Sequence, residues 1–119
     1  MIYFVTKTCN CTCAHCFYWE SLNKPRPKEL STAEIKQIAR KMGPLLYLRL
    51  SGGEPFIRRD LFEIIKTFAE ECRPAYIGIP SNGFYADRMV EFARQCAVLN
   101  TRVEIGISID DLGAHHDRI

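Results

Sequence analysis

The stretch "LLYLRLSGGEPFIRRDLFEII", residues 45–65, changes its period halfway along. "LLYLRL" (45–50) reads as a short apolar strand, and "SGGEP" (51–55) breaks it. From Leu61 the apolar residues Leu61, Ile64, Ile65, Phe68 and Cys72 recur at helical spacing. Asp60 and Glu63 precede that face as D-L-F-E, a second helix-capping signature. Strand, glycine turn and helix make one βα unit, and the rest of the chain repeats it.

On the C-terminal side, "AYIGIP" (75–80) is a third strand, followed by the turn "SNGF". A helix over 86–98 turns Met89, Phe92, Ala93 and Cys96 inward, and "RVEIGISID" (102–110) is the fourth strand. On the N-terminal side, "IYFVT" (2–6) is the first strand, and "SLNKPRPKEL" (21–30) is a polar loop. Ser31 and Glu34 form the capping box S-T-A-E. Ile35, Ile38, Ala39 and Met42 give the helix one apolar face, which Gly43 and Pro44 end. The order βαβαβαβ specifies right-handed crossovers, a parallel sheet and helices packed outside it. A chain of 119 residues fits one domain.

In such sheets chemistry sits at the carboxyl ends of the strands. The unusual motifs fall there: a cysteine cluster after the first strand, "SGGEP" after the second, "PSNG" after the third and "SIDD" at the fourth. Four odd loops on one rim argue for one shared site.

Composition excludes several classes. Apolar residues make up 47% of the chain, enough for a real core, and the net charge of +2 is too mild to argue for nucleic acid or an anionic membrane. No apolar run approaches the roughly 18 residues of a spanning helix. "MIYFVTKTC" has neither the basic start nor the long apolar run of a secretory signal, so a reducing cytoplasm is expected.

"TCNCTCAHCFYW" (8–19) holds Cys9, Cys11, Cys13 and Cys16, while Cys72 and Cys96 stand alone as small buried hydrophobes near helix ends. Disulfide scaffolds spread their cysteines between loops, whereas a tight cluster reads as metal binding. Cys9, Cys13 and Cys16 are spaced C-x3-C-x2-C. Thiolates suit iron–sulfur clusters, zinc and Cu(I). Three thiolates on a four-iron cluster leave one iron open to a small molecule. Structural zinc wants four ligands, and Cys11 or His15 could complete such a set only within a very short loop. The ferredoxin run C-x2-C-x2-C-x3-C-P is not present. In "SGGEP", two glycines allow close backbone approach, and Glu54 adds a negative charge that suits a cationic amine. The same motif is also a tight strand-to-helix turn.

C-x3-C-x2-C after a first strand, "GGEP" after a second, Ser-Asn-Gly after a third and "SID" in a fourth resemble the radical S-adenosylmethionine (SAM) superfamily. The contexts "TCNCTCAHCFYW", "LRLSGGEPFIRRDL", "IPSNGF" and "ISID…HHDRI" most resemble members with a C-terminal SPASM or twitch domain, and molybdenum-cofactor synthesis enzymes share the pattern. The resemblance covers nearly the whole chain. It implies that Cys9, Cys13 and Cys16 ligate a four-iron four-sulfur cluster whose open iron chelates SAM. His15 takes the aromatic position beside the adenine. Gly52, Gly53 and Glu54 meet the methionyl ammonium, and Ser108 and Asp110, polar positions in the fourth strand, lie near the ribose and sulfonium. Ser81 and Asn82 line the same cavity or form a turn. Electron transfer from the reduced cluster cleaves SAM to a 5′-deoxyadenosyl radical that takes hydrogen from a peptide or small biosynthetic substrate. The expected electron donor is flavodoxin or ferredoxin.

Cys11 stands where the family has an apolar residue and reads as another small hydrophobe. The family's core resembles a six-stranded partial (β/α)6 barrel, so residues 1–119 are expected to be its N-terminal part, incomplete at the C-terminal side. The competing readings are a non-catalytic module with zinc or a fully ligated iron–sulfur cluster, and an α/β remnant without activity.

Overall fold

The computed structural model describes residues 1–25, 28–113 and 116. Four strands, β1 (Ile2–Thr6), β2 (Tyr47–Gly52), β3 (Tyr76–Ser81) and β4 (Arg102–Ile107), alternate with three helices, α1 (Thr32–Met42), α2 (Leu61–Cys72) and α3 (Ala86–Cys96). The strands form one sheet in the order β1-β2-β3-β4, and every pairing is parallel. This is the expected βαβαβαβ arrangement, a parallel sheet built by successive strand–helix–strand crossovers.

The pleat explains the core. Successive residues of a strand face opposite sides, and Leu48, Leu50, Ile77 and Ile79 lie buried beneath the helices with Ile35, Ala39, Ile64, Ile65, Phe68 and Phe92. Cys72 and Cys96 are buried there as expected. Burial pushes the Cys96 thiol up to about 11, which suits an inert packing role.

Local chemistry sets the helix ends. Ser31 accepts from the Glu34 N–H while Glu34 accepts from the Ser31 N–H, the complete capping box. Gly43 ends α1 at φ 72°.

Several expectations need correction. Strands β2 and β3 run further toward the rim than residues 50 and 80, and α3 ends at Cys96. Strand β4 stops at Ile107, so Ser108 and Asp110 lie beyond the strand. Ala93 is exposed, and Ile38 and Met42 are only partly covered, because α1 and α3 each press a narrow stripe on the sheet. Asp60 occupies the N-cap of α2 without capping it, because its carboxylate is drawn to Arg58 and Thr32. Of the tail motif, residues 115 and 117–119 lie outside the described residues, as do residues 26 and 27 of the proline-bearing loop.

Candidate functional site

Strand β1 delivers the chain to the rim through an irregular step in its pairing between Phe4 and Thr6. The cysteine loop then folds back on itself. Cys16 N–H donates to the Cys13 carbonyl (3.1 Å), and Trp19 N–H to that of Cys16 (3.1 Å). Asn23 closes the loop. Its side chain accepts from the Cys9 N–H (3.0 Å) and donates to the Cys9 carbonyl (2.9 Å). Asn23 adopts φ 53°, a left-handed conformation that asparagine tolerates better than most residues.

The last residue of β2, Gly52, and Gly53 just beyond it grip the root of this loop. Gly53 N–H donates to the Thr6 carbonyl and Glu54 N–H to that of Thr8, both at 2.9 Å. A Cβ on Gly52 would stand 2.0 Å from the Thr6 carbonyl oxygen, and one on Gly53 2.1 Å from that of Thr8. Gly52 also sits at φ 123°. Close backbone approach is therefore required, and in the protein the approaching partner is the strand leading into Cys9.

Glu54 is 1% exposed, so it is not an open charge on the rim. Its Oε1 accepts from Phe56 N–H (2.9 Å) and from the Ser81 hydroxyl (3.0 Å), and Oε2 accepts from Asn82 N–H (2.8 Å). The carboxylate ties the ends of β2 and β3 together, and three donors offset its burial.

Asn82 carries the connection to the cysteine loop. Its Nδ2 donates to Asn10 Oδ1 (2.9 Å) and to Cys11 Sγ (3.2 Å). Cys11 is half-buried with a polar partner, not a buried hydrophobe. On the far side, His15 Nε2 lies 3.3 Å from Asp110 Oδ1, joining the cysteine loop to the segment after β4. Ser108 N–H donates to the Ser81 carbonyl (2.9 Å). The loops following all four strands are thus linked around one rim.

The thiols show what this loop suits. Burial pushes Cys9 up against the opposing N–H of Cys11, and Glu54, Cys13 and Cys16 add to the rise. Cys11 is raised by burial and by Cys9, Cys13 and Glu54, against its bond from Asn82. Crowded thiols beside a carboxylate resist ionisation until a cationic centre binds them, and coordination deprotonates a thiol outright. Three soft donors on one short loop, with a backbone N–H aimed at the Cys9 sulfur (3.4 Å), fit an iron–sulfur cluster. Among the described residues, no three His, Cys, Asp or Glu side chains converge on a single-ion position.

A second feature was not visible in the sequence reading. Arg58, nearly buried, donates to the carbonyls of Val5 (2.7 Å) and Leu30 and to both oxygens of Asp60 (2.8 and 3.1 Å). Glu29 flanks it at 3.8 Å and accepts from the Thr6 hydroxyl (2.6 Å), which in turn accepts from Thr8 N–H. Burial pulls the guanidinium down, but the hydrogen bond and charge of Asp60 outweigh it and raise Arg58 overall. This hub supports the root of the cysteine loop from below. Its signal is the R-R-D run before α2, which the capping pattern at Asp60 concealed.

Residues 3–119 match the Radical SAM superfamily, and the chain belongs to that family. Similar proteins include a GTP 3',8-cyclase of Haemophilus ducreyi, 30% identical over 91% of this chain and 32% of the relative. A pre-heme d1 synthase of Dinoroseobacter shibae is 33% identical over 98% of this chain and 28% of its own length. A probable GTP 3',8-cyclase of Archaeoglobus fulgidus is 33% identical over 96% and 36% respectively. The chain thus spans about a third of the length of these relatives. No helix among the described residues is long and apolar enough to cross a membrane.

Proposed function

We propose that this chain forms the cluster- and SAM-binding part of a radical SAM enzyme. In this reading Cys9, Cys13 and Cys16 hold a four-iron four-sulfur cluster. The backbone of Gly52, Gly53 and Glu54 faces the methionyl ammonium while the Glu54 carboxylate stays on Ser81 and Asn82, His15 faces the adenine, and Ser108 and Asp110 the ribose side. The observation that supports it most is the contact of Gly53 with Thr8, which seats the glycine motif directly beneath Cys9. When bound, the cluster and SAM supply one-electron cleavage of the sulfonium and a radical that abstracts hydrogen.

The chain's own residues position and shield. Glu54 holds the ends of β2 and β3 together, so the glycine backbone is presented in one conformation. Asn23 holds Cys9, and Arg58 holds the strand that leads into the cysteine loop. Asp110 orients His15. The substrate is a small biosynthetic molecule rather than a peptide, in keeping with the cyclase and synthase names of the relatives. A SPASM or twitch segment, a flavodoxin or ferredoxin donor and a cytoplasmic location belong to the same proposal.

Anaerobic reconstitution with iron and sulfide, followed by EPR with and without SAM, tests it. A reduced-cluster signal that shifts on adding SAM is expected, with loss of the cluster in Cys9→Ser, Cys13→Ser or Cys16→Ser. Zinc bound in place of any cluster would overturn the reading.

A further inference from the structure

We infer that Asn82 is a positioning residue that keeps Cys11 out of the cluster's ligand set, so that three cysteines rather than four bind iron. The inference rests on the cluster reading above and concerns Cys11, the cysteine of that loop which the reading leaves without iron.

Cys11 stands two residues from Cys9 and two from Cys13 in the same short loop. Cys11 N–H already donates to the Cys9 sulfur. A fourth thiol at this distance is a natural competitor for the open iron, because a thiolate is a stronger soft ligand than an amine or a carboxylate. A closed ligand set would leave no iron for a small molecule. The protein therefore needs a device that holds Cys11 elsewhere.

Asn82 has the required geometry. Its side-chain oxygen accepts from Phe84 N–H (3.0 Å), and its own N–H is anchored on Glu54 (2.8 Å). The oxygen is thus committed to the turn, which assigns the amide nitrogen to the other side. That nitrogen points two donors at the cysteine loop, one on Asn10 Oδ1 and one on Cys11 Sγ. Asn10 and Cys11 are adjacent, so the grip fixes both the loop backbone and the thiol. The Cys11 sulfur is drawn toward the end of β3 by a residue that is itself held by the buried Glu54. This arrangement links residues 71 and 72 positions apart, which no local motif reveals.

Asn82→Asp tests the inference, because it preserves the size of the side chain and the acceptor for Phe84 while replacing the donor to sulfur with an acceptor. Asn82→Ala serves as the second variant should the carboxylate disturb folding. Each is compared with the original chain, Cys11→Ala and the double variant with Cys11→Ala, all reconstituted anaerobically. Two readouts apply: the EPR change on adding SAM, and alkylation of Cys11 by iodoacetamide mapped by mass spectrometry.

In the original chain, the EPR signal is expected to respond to SAM and Cys11 to alkylate. In the Asn82 variants, the SAM response should fall at least tenfold and Cys11 should be protected. Adding Cys11→Ala should restore the response. A SAM response in Asn82→Asp and Asn82→Ala equal to that of the original chain would overturn the inference, as would a double variant that stays unresponsive. A SAM response in Cys11→Ala but not in the original chain would show that Cys11 ligates despite Asn82, overturning the inference while sparing the cluster reading. A chain that assembles no cluster would overturn both.

Discussion

On one face of the sheet Leu48, Leu50, Ile77 and Ile79 are at most 1% exposed beneath the helices. On the other, Tyr47, Arg49, Tyr76, Gly78, Glu104 and Gly106 line an open hollow of about 220 Å³ that reaches Ser108. The two sets alternate along the same strands, so neighbours in sequence have opposite surroundings. Tyr47 and Tyr76 stack across the bare face at 5.1 Å, and Arg102 lies 5.8 Å over the Tyr76 ring. A Cβ on Gly78 would come within 3.0 Å of the Tyr47 hydroxyl, so glycine leaves room for these rings. The covered face supplies the burial that holds the domain together. The bare face is thereby free to carry polar and small residues. The two meet at the carboxyl rim, where glycines replace side chains and backbone packs directly on backbone.

The rim is where the contrast breaks most easily. Gly52→Ala places a methyl group against the Thr6 carbonyl at φ 123°. Strain and overpacking together should remove about 4 kcal/mol or more of stability. A chemical-denaturation midpoint close to that of the original chain would show that β1 and β2 can separate at the rim without loss.

The two faces should then differ under matched truncation. Phe68→Ala on the covered side empties a site buried to 2% exposure and should cost about 3 kcal/mol or more. Tyr47→Ala on the bare side loses a stacked pair and should cost about 1 kcal/mol. Urea unfolding of both variants checks the ordering, and equal losses would erase the distinction between the faces.

The smallest effect concerns acid. The hydrogen bond and charge of Arg58, with a bond from Thr32, hold Asp60 below its ordinary range despite burial. Its contribution is therefore complete above an unfolded-state value of about 3.9 and is lost as pH falls through the lower folded value. Asp60→Asn should weaken the protein at neutral pH and flatten the loss of stability on acidification below about pH 4. Acid titrations of both forms, followed by circular dichroism, test this, and parallel curves would place the acid sensitivity elsewhere.

Much of the fold was legible because its signals are local. Apolar period, the Ser31–Glu34 box and the Gly43 stop each act within a few residues, and all appear in the structure. The errors also have local causes. A D-x-x-E pattern reads as a cap, but a buried arginine two residues earlier offers Asp60 a stronger partner. Strand β4 ends early because its parallel pairing with β3 ends at Ile107, whatever the apolar pattern beyond it.

By itself the sequence determined the alternation of strands and helices, the clustering of thiols after β1 and the placement of every unusual motif at one end of the sheet. These follow from periodicity and spacing, which are properties of neighbouring residues. Tertiary structure alone decided what those motifs touch. It turned the two glycines toward β1, buried Glu54 between β2 and β3, gave Cys11 to Asn82 and put Arg58 beneath the cysteine loop. Each of these contacts joins segments far apart in the chain, and the partner of a hydrogen bond is set by which backbones the sheet brings together.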